Sequence, residues 1–176
     1  MGISLRRGAK LPEAVKQALA LGPRERVLSF AAEEAGGRPT GTTVVATTHG
    51  LYAVDATGTR VVARPWHEVD AGSWSAELHQ LTVTWVDRAA PAQWVLGDSS
   101  LLPETLRERV QASVVLAQKF EVGPRRSARA VIRQDLATGD LVEQVVLGRN
   151  VRADDPEVAL AADQALDYLR EQVGLS

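Results

Sequence analysis

The chain has 176 residues, a formal net charge of -2 and no cysteine. Its hydrophobic fraction of 45% and charged fraction of 24% are typical of a globular protein and exclude a disordered tail. The lack of cysteine excludes disulfides, thiolate nucleophiles and cysteine-bound metal clusters, and it fits a reducing, cytoplasmic setting. The slightly negative charge gives no overall attraction to nucleic acid, so we expect no nucleic-acid partner.

We expect no targeting or membrane signal in the N-terminal residues. Arg6, Arg7 and Lys10 are basic, but no apolar segment long enough for a signal peptide follows them. No apolar run approaches the roughly 18 residues that a membrane span needs. Arginine outnumbers lysine 17 to 3, and alanine and valine are abundant, which indicates a GC-rich bacterial genome.

Residues 1–23 are predicted to contain a short amphipathic helix. Its apolar residues recur at helical spacing, at Leu11, Val15, Ala18 and Leu19. Gly22-Pro23 ends the segment. One apolar stripe this short cannot stabilise a helix in water, so we expect the helix to pack on the sheet that follows.

From Val27 to Leu96 the apolar period changes to two, which predicts short antiparallel strands. The segment from Glu33 to Gly41 is predicted to be an exposed, mobile loop. The second half of the region holds the four tryptophans of the chain, Trp66, Trp74, Trp85 and Trp94. Trp85 alternates with Leu81 and Val83 and is predicted to lie in the core, whereas one or two of the other indole rings could be exposed in a groove.

The pattern becomes helical again at Ser99. Pro103 and Glu104 suit a first helical turn, and an apolar stripe follows at Leu106, Val110, Val114 and Ala117. The spacing predicts one helix from Ser99 to Lys119, with the face that contains Val110 packed on the sheet.

The C-terminal region is predicted to be a β-β-α extension. Two strands, Arg129 to Asp135 and Leu141 to Leu147, precede a helix that begins at Asp154-Asp155-Pro156-Glu157. A two-stranded hairpin is only marginally stable by itself, so we expect this unit to pack on the main domain or on another subunit. The expected division of the chain is therefore residues 1–23, 24–122 and 123–176.

Two segments resemble bacterial pleckstrin-homology-like (PH-like) modules. Val44-Val45-Ala46-Thr47-Thr48-His49-Gly50-Leu51-Tyr52 resembles their second hairpin, in which a threonine precedes the turn and a Leu-aromatic pair opens the next strand. Pro65-Trp66-His67-Glu68-Val69 resembles their proline-aromatic-x-acidic-aliphatic strand. The whole chain is also similar to uncharacterised actinobacterial proteins of this arrangement, a similarity that implies no known activity.

The resemblance covers residues 24 to about 120 and implies an α+β fold. Its centre would be a PH-like bent antiparallel β-sheet or barrel of about seven strands, capped by an α-helix. The N-terminal helix and the C-terminal β-β-α extension would be additions to that module. PH-like folds commonly serve as binding scaffolds.

No reaction centre or cofactor site is recognisable. The histidines His49, His67 and His79 do not have metal-ligand spacing, and the serines lie in no G-x-S-x-G motif. Neither phosphate-binding glycine motif is present in the segment from Glu33 to Gly41. Asp154-Asp155 suits a helix N-terminus better than a metal site. We therefore expect a protein that is not an enzyme and that has no cofactor and no metal. An unrecognised enzyme is the third alternative, after the two binding functions described next.

The candidate binding residues are basic: Arg125, Arg126, Arg129 and Arg133, with Arg149 and Arg152 at the far end of the hairpin. They predict either an anion-binding or partner-binding face or a charged sheet edge that discourages aggregation. We expect a binding or scaffold module that acts through a protein partner or self-association. The alternative is peripheral binding to anionic lipid through the basic N-terminus and the segment from Arg125 to Arg133.

Overall fold

The computed structural model describes residues 10–97 and 100–175. In these ranges the chain has an α+β fold of three antiparallel sheets that contain ten strands, with three α-helices and one 3-10 turn. None of the three sheets closes into a barrel within the described residues. No helix in these ranges is both long enough and apolar enough to cross a membrane.

The elements, in chain order, are α1 (Glu13–Leu19), β1 (Val27–Ala35), β2 (Arg38–Thr47), β3 (Gly50–Val54), β4 (Arg60–Pro65), the 3-10 turn (Trp66–Glu68), β5 (Val69–Ser75), β6 (Gln80–Trp85), β7 (Ala92–Val95), α2 (Leu102–Ser113), β8 (Val114–Gly123), β9 (Arg126–Gln134), β10 (Leu141–Leu147) and α3 (Pro156–Val173). Sheet 1 has the strand order β1-β2-β3-β4, sheet 2 the order β5-β6-β7 and sheet 3 the order β10-β9-β8.

Sheet 1 is covered on both faces. The apolar stripe of α1 packs on Val45 and Val54, which confirms that the first helix uses the following sheet as its partner. The opposite face carries Val44, Ala46 and Leu51 into the main core. The second half of β2 and most of β3 are buried because both of their faces have a covering layer.

The loop predicted from Glu33 to Gly41 is a hairpin instead. β1 and β2 stay paired as far as Ala35 and Arg38, and only Gly36 and Gly37 form the turn. Both glycines have positive φ, +58° and +74°, the conformation that a tight two-residue hairpin turn requires. The residues around this turn are exposed, as the sequence predicted, but they form the tip of a paired arm.

The main core lies between sheet 1, sheet 2 and α2. Trp66, Trp85 and Trp94 are buried in it, so the core position predicted for Trp85 is confirmed. Trp66 belongs to the 3-10 turn and not to an extended strand. Its indole Nε1 donates a 2.9 Å hydrogen bond to the carbonyl oxygen of Thr47, which satisfies the one polar atom of a fully buried side chain.

The helix predicted from Ser99 to Lys119 is shorter than expected. Ser99 lies outside the described residues, α2 begins at Leu102, and the helix ends at Ser113. The chain then enters β8 directly, with Val114 in an extended conformation and 39% exposed. The prediction was wrong for residues 114–119, where β-branched Val114 and Val115 begin a strand that pairs with β9.

Sheet 3 contains one strand more than the predicted β-β-α extension, because β8 joins β9 and β10. One face of β9, carrying Ala130 and Ile132, packs on Ala165 and Leu169 of α3. The other face is turned toward the 3-10 turn and β5. Asp155 caps α3 by accepting a 3.0 Å hydrogen bond from the backbone N–H of Glu157, which confirms the capping interpretation of this aspartate.

Candidate functional site

Arg133 is the most buried member of the predicted basic strip. Only 3% of the residue is exposed, and its guanidinium donates hydrogen bonds to the carbonyl oxygens of Val69 and Trp66 and to the hydroxyl of Ser113. Burial lowers the pKa of Arg133 to about 10. This cation is enclosed by protein acceptors and presents no charge at the surface.

The other three arginines of the strip lie in different surroundings. Arg126 forms a 2.5 Å ion pair with Asp155, and Arg129 forms a 2.7 Å ion pair with Asp70. Arg125 is exposed at the turn between β8 and β9. The four side chains therefore do not form one continuous face: two hold sheet 3 to neighbouring elements, one is buried, and Arg125 is open to solvent.

The structure does bring arginines from distant segments together at one end of sheet 3, around residues 149–155. Arg126 Nε donates to the carbonyl oxygen of Asn150, and Arg88, from the turn between β6 and β7, donates to the carbonyl oxygen of Val151. Arg125, Arg149 and Arg152 are exposed beside them. We call this set of five, Arg88, Arg125, Arg126, Arg149 and Arg152, the arginine cluster.

Two carboxylates partly neutralise the arginine cluster. Asp155 pairs with Arg126, and this hydrogen bond is the main reason why the pKa of Asp155 lies below its usual range. Asp154 pairs with Arg152 through two contacts of 2.8 and 3.0 Å. Five cations against two anions leave a local excess of positive charge, which favours an anionic partner.

The end of sheet 2 presents apolar side chains to solvent. Trp74 is 38% exposed, Leu78 in the turn between β5 and β6 is 60% exposed, and Val95 at the end of β7 is 37% exposed. The ring of His79 packs edge-on against Trp74, with the ring centroids 6.3 Å apart. Trp74 is the one tryptophan with a substantially exposed ring among the described residues, and exposed indoles are enriched in protein-binding hot spots. Val95 lies opposite Gln80, so its side chain is on the other face of sheet 2 from that of Trp74. We call Trp74 and Leu78 the apolar tip.

A nearly buried carboxylate lies where α1 leads into β1. The Glu25 side chain is 5% exposed and accepts hydrogen bonds of 2.6 Å from Thr47 Oγ1, 2.8 Å from the Tyr52 hydroxyl and 3.0 Å from the backbone N–H of Gly22. His49 Nδ1 lies 3.9 Å from the same carboxylate. These contacts tie the segment before β1 to the hairpin of β2 and β3.

The titration of this cluster follows from its contacts. Burial opposes the ionisation of Glu25, but the hydrogen bonds from Thr47, Gly22 and Tyr52 outweigh it, so the pKa of Glu25 lies below its usual range. Burial, followed by the hydrogen bond to Glu25, raises the pKa of Tyr52 to about 12. A low-pKa carboxylate already occupied by three donors is suited to holding a structure together rather than to acting as a general base.

A shallow groove of about 300 Å³ lies between the start of α1 and the turn after β3. Its walls are mostly apolar and include Pro12, Val15 and Ala56. Asp55 is the acid in its lining. The hydrogen bonds that Asp55 accepts from Thr57 and Thr59 lower its pKa. This carboxylate serves the turn and provides no group poised for proton transfer.

The histidines do not assemble into a metal site. Within residues 10–97 and 100–175, no three histidine, aspartate or glutamate side chains converge where a metal ion could be held. His67 lies in the 3-10 turn, and its carbonyl oxygen accepts a 2.6 Å hydrogen bond from Gln144 of β10. This backbone contact helps to join sheet 3 to the rest of the molecule.

Sequence reasoning missed the arginine cluster as a set, because Arg88 is far in sequence from the other four members. It also missed the role of Glu25, a single acidic residue between Gly22-Pro23 and a strand, which carries no motif. For the apolar tip, the sequence indicated only that one or two of Trp66, Trp74 and Trp94 could be exposed and did not distinguish among them. The sequence matches no protein-family model, and no curated protein sequence is significantly similar to it.

Proposed function

We propose that this protein is a non-enzymatic, cytoplasmic bacterial binding module that acts through protein–protein contact or self-association. The framework that we propose is PH-like over residues 24–122. The order of β1 to β7 in two sheets, followed by α2 on the shared core, supports this framework. The bridge between Glu33 of β1 and Leu96 after β7, which brings the two sheets together at one corner, also supports it.

The observation that carries the proposal is the apolar tip. Trp74 leaves 38% of its surface in water although its three fellow tryptophans are buried, and Leu78, 60% exposed in the turn that follows β5, adds to the exposed apolar area. Large apolar side chains clustered at one end of a rigid sheet lower the free energy when a partner covers them. A partner protein with an apolar pocket and a polar rim fits this surface.

The test begins with capture of partners by the tagged full-length chain from its native host, followed by titration calorimetry with each purified candidate. Trp74→Ala should weaken binding of a genuine partner at least about tenfold, because hot-spot tryptophans typically contribute about 2 kcal/mol or more. Leu160→Ala is the matched control, since Leu160 is 62% exposed on α3, away from sheet 2. Equal affinities for wild type and Trp74→Ala with every captured protein would refute the apolar tip as the binding surface.

The arginine cluster favours a second candidate function, peripheral binding to an anionic lipid surface. The arrangement supports this through Arg125 and Arg126 of the predicted strip, joined by Arg88, Arg149 and Arg152. Each cation near an anionic membrane contributes about 1 kcal/mol, so an excess of three gives weak, salt-sensitive binding. In flotation with phosphatidylserine vesicles, capture at low salt should disappear at high salt and in Arg125→Glu/Arg149→Glu. No capture at low salt would exclude this function.

A further inference from the structure

β8 is a ten-residue strand with an open edge. It pairs with β9 on one side, and no described strand pairs with its other side. Its inward face is covered, since Leu116 and Phe120 pack against α3. Its first residues are exposed valines, Val114 at 39% and Val115 at 40%. Unpaired backbone N–H and C=O groups along such an edge are available to another strand.

The charges near the end of β8 have an unusual arrangement. Lys119 and Glu121 are two residues apart, so both side chains project from the same face of the strand, on either side of Phe120. Both are exposed, and neither forms an ion pair with another described residue. A lysine alone on an edge discourages pairing with another strand. A lysine and a glutamate on either side of one residue are different, because in an antiparallel pair of identical strands centred on that residue each lysine faces the glutamate of the other strand.

We propose that the open edge of β8 binds a second copy of this chain through antiparallel β8–β8 pairing centred on Phe120. In this register Lys119 of each copy faces Glu121 of the other, and the two Phe120 side chains are neighbours on the α3 side. Sheet 3 of one copy then continues into sheet 3 of the other as a six-stranded sheet. The inference deepens the proposed function, on which it rests, by naming self-association and its surface.

Charge selects this register among its neighbours. Centring the pair on Lys119 or on Glu121 places two like charges directly opposite each other. Centring it on Gln118 places Lys119 opposite Ala117 and leaves every charge unpaired. Only the register centred on Phe120 pairs all four charges of the two strands, and direct cross-strand pairs of opposite charge each stabilise a sheet by a fraction of a kcal/mol up to about 1 kcal/mol.

The outer strands β4 and β10 lack this complementarity. Pairing two copies of β4 about Val62 would place Arg60 opposite Arg64, a contact between like charges. On β10 the acidic residue Glu143 is already bound by Arg170, in contacts of 2.6 and 2.7 Å. Among these edges, β8 alone offers an unpaired, self-complementary charge pattern.

The experiment measures the monomer–dimer equilibrium of the full-length chain by sedimentation over a wide concentration range. Lys119→Glu and Glu121→Lys each replace two attractive contacts with two repulsive ones, so each should raise the dimer Kd about tenfold or more. The double variant Lys119→Glu/Glu121→Lys restores both pairs and should return the Kd to within about threefold of wild type. Glu108→Lys, on the exposed surface of α2, is the control for the charge change itself.

A mixture of the two single variants provides the sharpest outcome. The Lys119→Glu variant is acidic at both positions and the Glu121→Lys variant is basic at both, so the mixture should form heterodimers when neither variant dimerises alone. Unchanged melting temperatures of the variants would show that folding is intact.

Dimerisation that is insensitive to these charges would overturn the β8 interface but leave self-association standing. A wild type that stays monomeric while a purified partner binds the apolar tip would overturn self-association alone. Neither dimer nor partner would overturn the proposed function as well.

Discussion

Arg133 donates a 2.7 Å hydrogen bond to the carbonyl oxygen of Trp66, and this contact joins sheet 3 to the turn that connects sheets 1 and 2. Trp66 lies in that turn with its indole fully buried in the main core. The same guanidinium also donates to Val69 at the start of β5 and to Ser113 at the end of α2. The side chain of Arg133 thus fixes the positions of the 3-10 turn, the start of β5 and the end of α2 relative to one another.

Replacement of Arg133 by methionine should lower the free energy of unfolding by about 3 kcal/mol or more. Methionine fills much of the same space, but the carbonyl oxygens of Trp66 and Val69 each lose the hydrogen bond from Arg133, and Trp66 keeps only the one from the Val69 N–H. Each hydrogen bond lost by a buried group costs about 1 to 3 kcal/mol. Denaturant unfolding of the full-length chain measures the change. Arg149→Met is the control, because Arg149 is exposed, and it should change stability by less than about 0.5 kcal/mol. Equal effects of the two substitutions would contradict this role of Arg133.

Gly72 of β5 is predicted not to tolerate a side chain, because α2 lies against it. A Cβ at this position would overlap Cδ2 of Leu106, which is fully buried and cannot move aside without disturbing the core. Gly72→Ala should therefore destabilise the protein by about 1 to 3 kcal/mol, measured as a lower denaturation midpoint. Gly97→Ala is the matched control, since its Cβ would meet Glu34 Oε1 at an ordinary 3.5 Å. If Gly72→Ala left the denaturation midpoint unchanged, the close contact between α2 and β5 at Gly72 would be contradicted.

Local signals in the sequence were sufficient for several elements. The apolar stripe of α1, the alternation around Trp85 and the capping residue Asp155 each depend on neighbours within a few positions, and the structure has all three as predicted. The Gly36-Gly37 turn also has a local signal, but the surrounding composition, rich in glycine and charge, predicts a loop. Two adjacent glycines between extended segments indicate a tight hairpin turn.

The rest depends on contacts that leave no pattern in the sequence. Residues 110–117 fit a helical period as well as the beginning of an edge strand, and pairing with β9 decides between the two. Arg133 looks like a surface cation, because its acceptors are backbone carbonyls as far as 67 residues away and any residue type can provide a carbonyl. The arginine cluster is likewise assembled by packing of separate segments, so only the tertiary structure shows it.

Tyr52 should make stability fall in alkali. Its pKa is raised from 10.0 to about 12 by burial and by the hydrogen bond to Glu25, so the folded protein keeps a proton that the unfolded chain loses between pH 10 and 12. Its contribution is therefore complete below pH 10 and is lost as pH rises through 12. Arg133, with its pKa lowered by burial to about 10, has the opposite slope in the same window. Comparison with Tyr52→Phe cancels that opposing effect.

The free energy of unfolding of wild type should exceed that of Tyr52→Phe by an amount that shrinks steadily from about pH 9.5 to 12. Urea unfolding at each pH measures the difference, and the range begins near the ordinary tyrosine pKa of about 10. Below pH 9 the wild type should be the more stable by about 1 kcal/mol, the usual contribution of one hydrogen bond. A difference that stays constant across this range would show that the Tyr52 hydroxyl titrates as it does in water.

A fragment ending at residue 122 should aggregate or be only marginally soluble, because the cut separates β8 from its partner strand. Without β9 the fragment loses Arg133, so the carbonyl oxygens of Trp66 and Val69 lose its hydrogen bonds, and Leu116 and Phe120 lose the cover of α3. Light scattering and thermal melting of the fragment beside the full-length chain measure the effect. Repeating both at low protein concentration separates aggregation from loss of intrinsic stability, and the melting temperature should be lower at every concentration. A monomeric fragment with the melting temperature of the full chain would instead show that residues 123–176 are an independent appendage, and the functional assignment would then move to a separate recruiting unit.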